Sequence, residues 1–177
     1  LLSAVNLYGP DITTADVESF YSDKVSPNKD KPLSFGLNSQ LVKINGELTE
    51  RVYKSGGLYG AAIDEITKWL ELAQGVAENT AQGEALGLLI EYYKTGDLQV
   101  WDDYNVAWTA ATEGNIDYIN SFIEVYNDPV GYTGSYETIV QVKDFDMSQK
   151  MAVLSENAQW FEDNSPLMDA HKKKNVV

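Results

Sequence analysis

The spacing of apolar residues changes twice along this chain, and that change limits the folds open to it. From Leu58 to Glu78 they return at helical spacing, with Ala62, Ile63, Ile66, Trp69, Leu70, Ala73 and Val76 on one stripe. Asn79 to Gln82 reads as the start of a second helix, with Ala81, Ala85, Leu88, Leu89 and Tyr92 facing inward and Gly96 as its stop. Asp97 to Thr112 continues as a third helix carrying Leu98, Trp101 and Trp108. Trp69 and Trp101 are expected in the core that these helices share.

On either side of this block the period is two. Leu37 to Ile44 and Glu47 to Tyr53 alternate around Asn45-Gly46, a pair favoured in type I′ turns because both positions need positive φ. Residues 116–126 and 134–143 alternate around Asp128-Pro129-Val130-Gly131, a second hairpin with a longer loop. Thr13-Thr14-Ala15-Asp16 is a capping box that opens a short helix over 14–24, with Val17, Phe20 and Tyr21 on its apolar side. Near the end, Met147, Met151, Leu154, Ala158 and Phe161 form the stripe of a last helix capped by Asp146, and Pro166 prevents its continuation. The sum is an α+β fold, mainly helical, with β-hairpins near 37–53 and 116–143. No Pro/Gly/Ser-rich run separates two halves, so residues 1–177 read as a single domain.

The formal net charge is -14, from 27 acidic and 13 basic residues. Such a field repels nucleic acid and anionic membrane surfaces and favours a cationic ligand, such as the ammonium of a peptide N-terminus. No run approaches the ~20 apolar residues of a membrane span. The first ten residues, LLSAVNLYGP, lack a basic n-region and an Ala-x-Ala site, so no signal peptide is read there and a cytoplasmic location is expected. With no Cys, thiol catalysis and disulfides are excluded. The one His, His171, sits beside Lys172, Lys173 and Lys174 and reads as a solvated tail residue. A catalytic zinc takes about three protein ligands, often two of them His. No metal site and no cofactor are therefore expected within this chain.

Chemistry is concentrated in the second hairpin. Glu124 and Tyr126 stand at i, i+2 on one strand, and Glu137 stands on the other. A register centred on the turn sets Glu137 opposite Glu124. Facing carboxylates disfavour a sheet, and an arriving cation relieves their repulsion. Tyr126 adds a donor that can polarise a peptide carbonyl or steady an oxyanion.

The run Phe122-Ile123-Glu124-Val125-Tyr126-Asn127-Asp128-Pro129-Val130-Gly131 resembles the F-I-E-x-Y-x-D-P-x-G stretch of the dipeptidyl-peptidase III family, zinc enzymes that remove dipeptides from peptide N-termini. Gly134-Ser135-Tyr136-Glu137 resembles the G-x-aromatic-E that follows it. The likeness extends in order through LSFGLNSQLVK from Leu33, the helix from Tyr59, EYYKTGDL from Glu91 and NAQWFE from Asn157, which look like bacterial members. The resemblance implies that Glu124 helps bind the substrate ammonium. It gives Tyr126 a catalytic part, assisting the transition state near the scissile bond, and places Glu137 in the same substrate-binding cleft. Asn127 departs from relatives that carry Arg, so a contact that depends on that charge is not expected here. The family's H-E-x-x-x-H and E-E-x-x-x-E-like zinc segments do not occur in these 177 residues. The resemblance therefore implies part of the substrate-binding lobe of a two-lobed peptidase, inactive alone. Its partners would be a peptide substrate and the remaining zinc-bearing lobe of the same polypeptide, with zinc as the cofactor of the parent enzyme. The other reading is a non-catalytic peptide- or protein-binding module on the same scaffold.

Overall fold

The computed structural model describes residues 6–176. Helix α1 (Thr14–Ser22) precedes hairpin β1 (Ser39–Ile44) and β2 (Glu47–Val52). Helices α2 (Gly60–Gln74), α3 (Thr80–Thr95) and α4 (Leu98–Ala110) follow, then strands β3 (Ile116–Glu124) and β4 (Ser135–Val142). Helices α5 (Phe145–Glu156) and α6 (Ala158–Asp163) and a 3-10 turn (Asp169–His171) complete the order. The fold is α+β, mainly helical, with two separate two-stranded sheets. Strands β1 and β2 pair antiparallel from Ser39–Val52 to Ile44–Glu47. Asn45 and Gly46 take φ of 54° and 86°, the positive values that a type I′ turn demands.

By its internal contacts the chain divides into two compact units, Leu1–Gly114 with Tyr118–Val140, and Asn115–Asp117 with Gln141–Val177. The boundary runs through the second hairpin rather than through a linker.

In the first unit, α2, α3 and α4 surround a core of Ile63, Leu70, Leu86, Leu89, Tyr92, Tyr93 and Trp101, which Tyr53 and Phe122 join from the hairpins. Ring centroids lie 5.0 Å apart for Tyr92 and Trp101 and 4.6 Å apart for Tyr53 and Phe122. A second cluster packs Val17 and Tyr21 of α1 against Leu41 of β1, with Tyr8 and Ile12. Val17 and Leu41 are completely buried, which stabilises by about 1.5–3 kcal/mol each. Local signals start and stop these helices as the sequence suggests. Thr13 and Asp16 close a reciprocal capping box, and the Asn79 side chain accepts from the Gln82 N–H. Gly96, at φ 73°, ends α3 by donating its N–H to the Tyr92 carbonyl at 2.7 Å.

Two expectations change. Trp69 is 65% exposed, with the Lys68 ammonium 5.9 Å from its ring centroid, while Trp101 is buried. The buried line of α2 runs through Ile63, Thr67 and Leu70, and Trp69 lies about a third of a turn away from it. Thr67 is polar, so apolar spacing alone assigned that line to the wrong side chain. In the second unit, Asp144 rather than Asp146 caps α5, accepting from the Met147 N–H at 2.9 Å. The helix breaks at Asn157, whose side-chain amide donates to the Val153 carbonyl, so two helices stand where one was predicted. The stripe containing Met147, Met151, Leu154 and Phe161 is exposed, and α5 and α6 bury no residue. His171 is exposed. Among the described residues no helix is long and apolar enough to cross a membrane.

Candidate functional site

The helical layer of the first unit fixes β3. Tyr93 on α3 donates its hydroxyl to the Asn120 side-chain oxygen at 2.6 Å, and Trp108 Nε1 on α4 donates to the Tyr118 carbonyl at 3.0 Å. Across the ribbon, Asn120 donates to the hydroxyls of Tyr136 and Thr138, and the Phe122 and Tyr136 rings meet at 5.5 Å. Thr138 beside Asn120 and Tyr136 beside Phe122 define a register shifted from one centred on the turn. The three candidate residues are therefore grouped differently from the facing pair expected. The Tyr126 hydroxyl donates to Glu137 Oε1 at 3.1 Å. This bond and the Glu137 charge raise the Tyr126 phenol above its ordinary range, and the Glu124 charge adds to the same effect. Both carboxylates thus act on one phenol, and Tyr126 itself is 73% exposed.

The loop between the strands has its own structure. Asp128 is buried, and its carboxylate accepts from four donors. Val130 N–H reaches Oδ1 at 3.0 Å. Tyr132 N–H at 2.9 Å, Thr133 N–H at 2.7 Å and the Tyr8 hydroxyl at 2.5 Å all reach Oδ2. Four donors replace the water that a buried carboxylate gives up, and bonds to a charged acceptor are the stronger kind. Burial and the bond to Asp128 push the Tyr8 phenol far above the ordinary tyrosine value. The far end of the loop is tied to the first hairpin, where Thr133 Oγ1 donates to the Ser39 carbonyl and Gly134 N–H to the Leu37 carbonyl. Asn127 donates its side-chain amide to Ser135 Oγ at 2.9 Å. Asp128 had a local signal, since an Asp opening a turn accepts backbone N–H groups just beyond it. Its partner Tyr8, 120 positions away, had none.

Two clefts flank this region of the first unit. One, of about 460 Å³, has Tyr53, Tyr59, Ile63, Phe122, Ser135 and Tyr136 in its wall. The other, of about 540 Å³, has Phe35, Trp101, Ile123, Val125 and Tyr132 in its wall. Glu124, Tyr126 and Glu137 line neither cleft; Glu124 and Tyr126 are exposed and Glu137 is half-buried. Among the described residues no group of three or more His, Asp or Glu side chains is arranged to hold a metal ion. The residues described do not fit a zinc centre.

The chain covers 94% of its length in alignment with dipeptidyl peptidase 3 of Dictyostelium discoideum at 27% identity, and 58% with that of Homo sapiens at 29% identity. It spans 26% and 14% of those two proteins respectively, about a quarter or less of their length. In fold it is similar to the structure of DPP III from Caldithrix abyssi, with a TM-score of 0.71 at 22% identity, over 98% of this chain and 32% of that one. The DPP III structure from Corallococcus sp. strain EGB matches with a TM-score of 0.64 at 21% identity, again over 98% of this chain and over 31% of that one. The model of Peptidase family M49 matches residues 34–176, a span that takes in both hairpins, the three core helices and the whole Glu124–Glu137 ribbon, and the chain belongs to that family.

Proposed function

We propose that this chain is the substrate-binding segment of a zinc exopeptidase that releases dipeptides from peptide N-termini, and that the β3–β4 ribbon receives the amino end of the peptide. The observation that carries this reading is the bond from the Tyr126 hydroxyl to the Glu137 carboxylate, with the Glu124 charge acting on the same phenol. An ammonium group has three N–H donors and suits a site with two carboxylates. Its positive charge is attracted by both carboxylates. Tyr126, already bonded to Glu137, can turn its hydroxyl toward the first peptide carbonyls when the ammonium takes over that carboxylate.

Exposure limits what this ribbon does alone. Exposed ion pairs are worth about 0.2–1 kcal/mol each, so two of them supply at most about 2 kcal/mol, short of the roughly 4 kcal/mol of millimolar binding. A tighter grip requires that water be excluded when the rest of the enzyme closes over the peptide. The partner for that step is the remaining, zinc-bearing lobe of the same polypeptide. The zinc, when bound there, supplies polarisation of the scissile carbonyl and activation of water. This segment contributes the position of the peptide relative to that centre.

The test is kinetic. The 177-residue chain, supplied with zinc and a dipeptidyl-naphthylamide, is expected to show no turnover. A longer polypeptide that includes the H-E-x-x-x-H segment is expected to be active and to lose rate with Tyr126→Phe, mainly in kcat. Unchanged kcat and KM in that variant would remove Tyr126 from the mechanism.

A further inference from the structure

Among the buried charges of this chain, Asp128 stands out by its isolation and its position. It lies two residues beyond Tyr126, is 5% exposed, and is bonded to no cation. Its four donors come from three loop N–H groups and from Tyr8, which lies at the other end of the chain. Tyr8 is anchored in turn, since the next residue donates its N–H to the Leu41 carbonyl of β1 at 2.9 Å. The loop is therefore clamped from both sides. Tyr8 and β1 hold Asp128, and the Leu37 and Ser39 carbonyls hold Gly134 and Thr133.

This clamp fixes the path of the chain between the end of β3 and the start of β4. Tyr126 and Glu137 lie on opposite sides of the loop, so the path the loop takes decides whether their side chains meet. We infer that Asp128 is a positioning residue, which through its bonds to Tyr8 and to the loop N–H groups holds Tyr126 against Glu137. The geometric part stands by itself; its consequence for peptide affinity rests on the proposed function of the ribbon.

An Asn at this position cannot replace the carboxylate. Oδ1 and Oδ2 both accept, so whichever way the amide turns, its NH₂ faces at least one N–H or O–H donor. Asp128→Asn should therefore loosen the loop and separate Tyr126 from Glu137. Tyr8→Phe removes one of the four donors and leaves the three N–H groups, so its effect should be smaller and of the same sign.

The experiment uses the 177-residue chain labelled with ¹³C at the tyrosine ring carbon that bears the hydroxyl, with the Tyr126 signal assigned by its loss in Tyr126→Phe. Two quantities are read in wild type, Asp128→Asn and Tyr8→Phe. One is the pH midpoint of the Tyr126 phenol, which the bond to Glu137 and the charges of Glu137 and Glu124 raise. The other is the affinity for tetra-alanine. The expected result is a wild-type midpoint above that of a free tyrosine, a return toward it in both variants, and affinity about fivefold weaker in Asp128→Asn. A Tyr126 midpoint that stays at its wild-type value in folded Tyr8→Phe overturns the inference, whatever Asp128→Asn does to folding. If wild type does not bind tetra-alanine at all, the peptide-gripping function fails, and the midpoints still decide the positioning role.

Discussion

The Tyr126 hydroxyl donates to the Glu137 carboxylate across 3.1 Å, joining the two strands of the second hairpin at their loop end. Tyr126 is exposed and Glu137 half-buried, so this bond contributes little to folding. What it fixes is the direction of a donor and an acceptor relative to each other. Glu137→Gln keeps an acceptor and removes the charge that is raising the phenol. The Tyr126 midpoint should fall toward the free-tyrosine value in Glu137→Gln, and fall less in Glu124→Gln, while the melting temperature stays within a degree or two. Phenol titration by ¹³C NMR checks both.

The two glycines that shape the first unit differ in their surroundings. Gly46, at φ 86°, has open space where a side chain would stand, so Gly46→Ala costs only backbone strain, about 1 kcal/mol. Gly96, at φ 73°, would place a methyl 2.6 Å from Val52 Cγ1, and valine has little rotameric freedom to yield. Gly96→Ala should cost about 2 kcal/mol or more. Urea denaturation of the two variants should order them this way.

The tryptophans provide a test of the packing. Trp101 is 7% exposed and contacts Tyr92 and Tyr104, so Trp101→Ala should cost about 3–5 kcal/mol. Trp69→Ala, on the wet side of α2, should change stability by no more than about 0.5 kcal/mol. Equal losses for the two, measured by chemical denaturation, would mean that α2 is rotated relative to the structure described.

The pH dependence of α1 has a definite sign. Bonds from Thr13, then the Lys43 ammonium at 2.9 Å, lower the Asp16 carboxyl from 3.8 to about 2. Its folded-state pKa lies below the ordinary value. Its contribution to holding the helix start is therefore complete above about pH 4 and is lost as pH falls toward about 2. Lys43→Met should raise the Asp16 midpoint toward 3.8, read from the carboxyl carbon shift.

Features decided by neighbouring residues were legible in the sequence. Asn45-Gly46 announces its turn because few other residues accept two positive φ angles, and Thr13, Asn79 and Gly96 mark helix ends through local hydrogen bonds. Competition between near-equivalent signals was not legible. Asp144 and Asp146 can both cap, and only the path of the chain after β4 selects Asp144. Trp69 was assigned to the core because Thr67, which takes that place, does not look apolar. In the ribbon, motif and order single out Glu124, Tyr126 and Glu137, but the loop between them is held by the Tyr8–Asp128 bond, a contact between distant parts of the chain that local sequence does not announce. The family was legible because its motif letters cluster in this loop, where backbone geometry restricts the choice of residue.

The most direct measurement compares two peptides that differ only at the amino end. Tetra-alanine and N-acetyl-tetra-alanine are titrated into the ¹⁵N,¹³C-labelled chain, and the side-chain carboxyl signals of Glu124 and Glu137 are followed. A free ammonium held between these carboxylates predicts that both signals move together, with affinity about tenfold higher for the free peptide. That preference should disappear in the Glu124→Gln, Glu137→Gln double variant. Equal affinity for the two peptides in the wild-type chain would contradict the central claim that this ribbon recognises the amino end of a peptide.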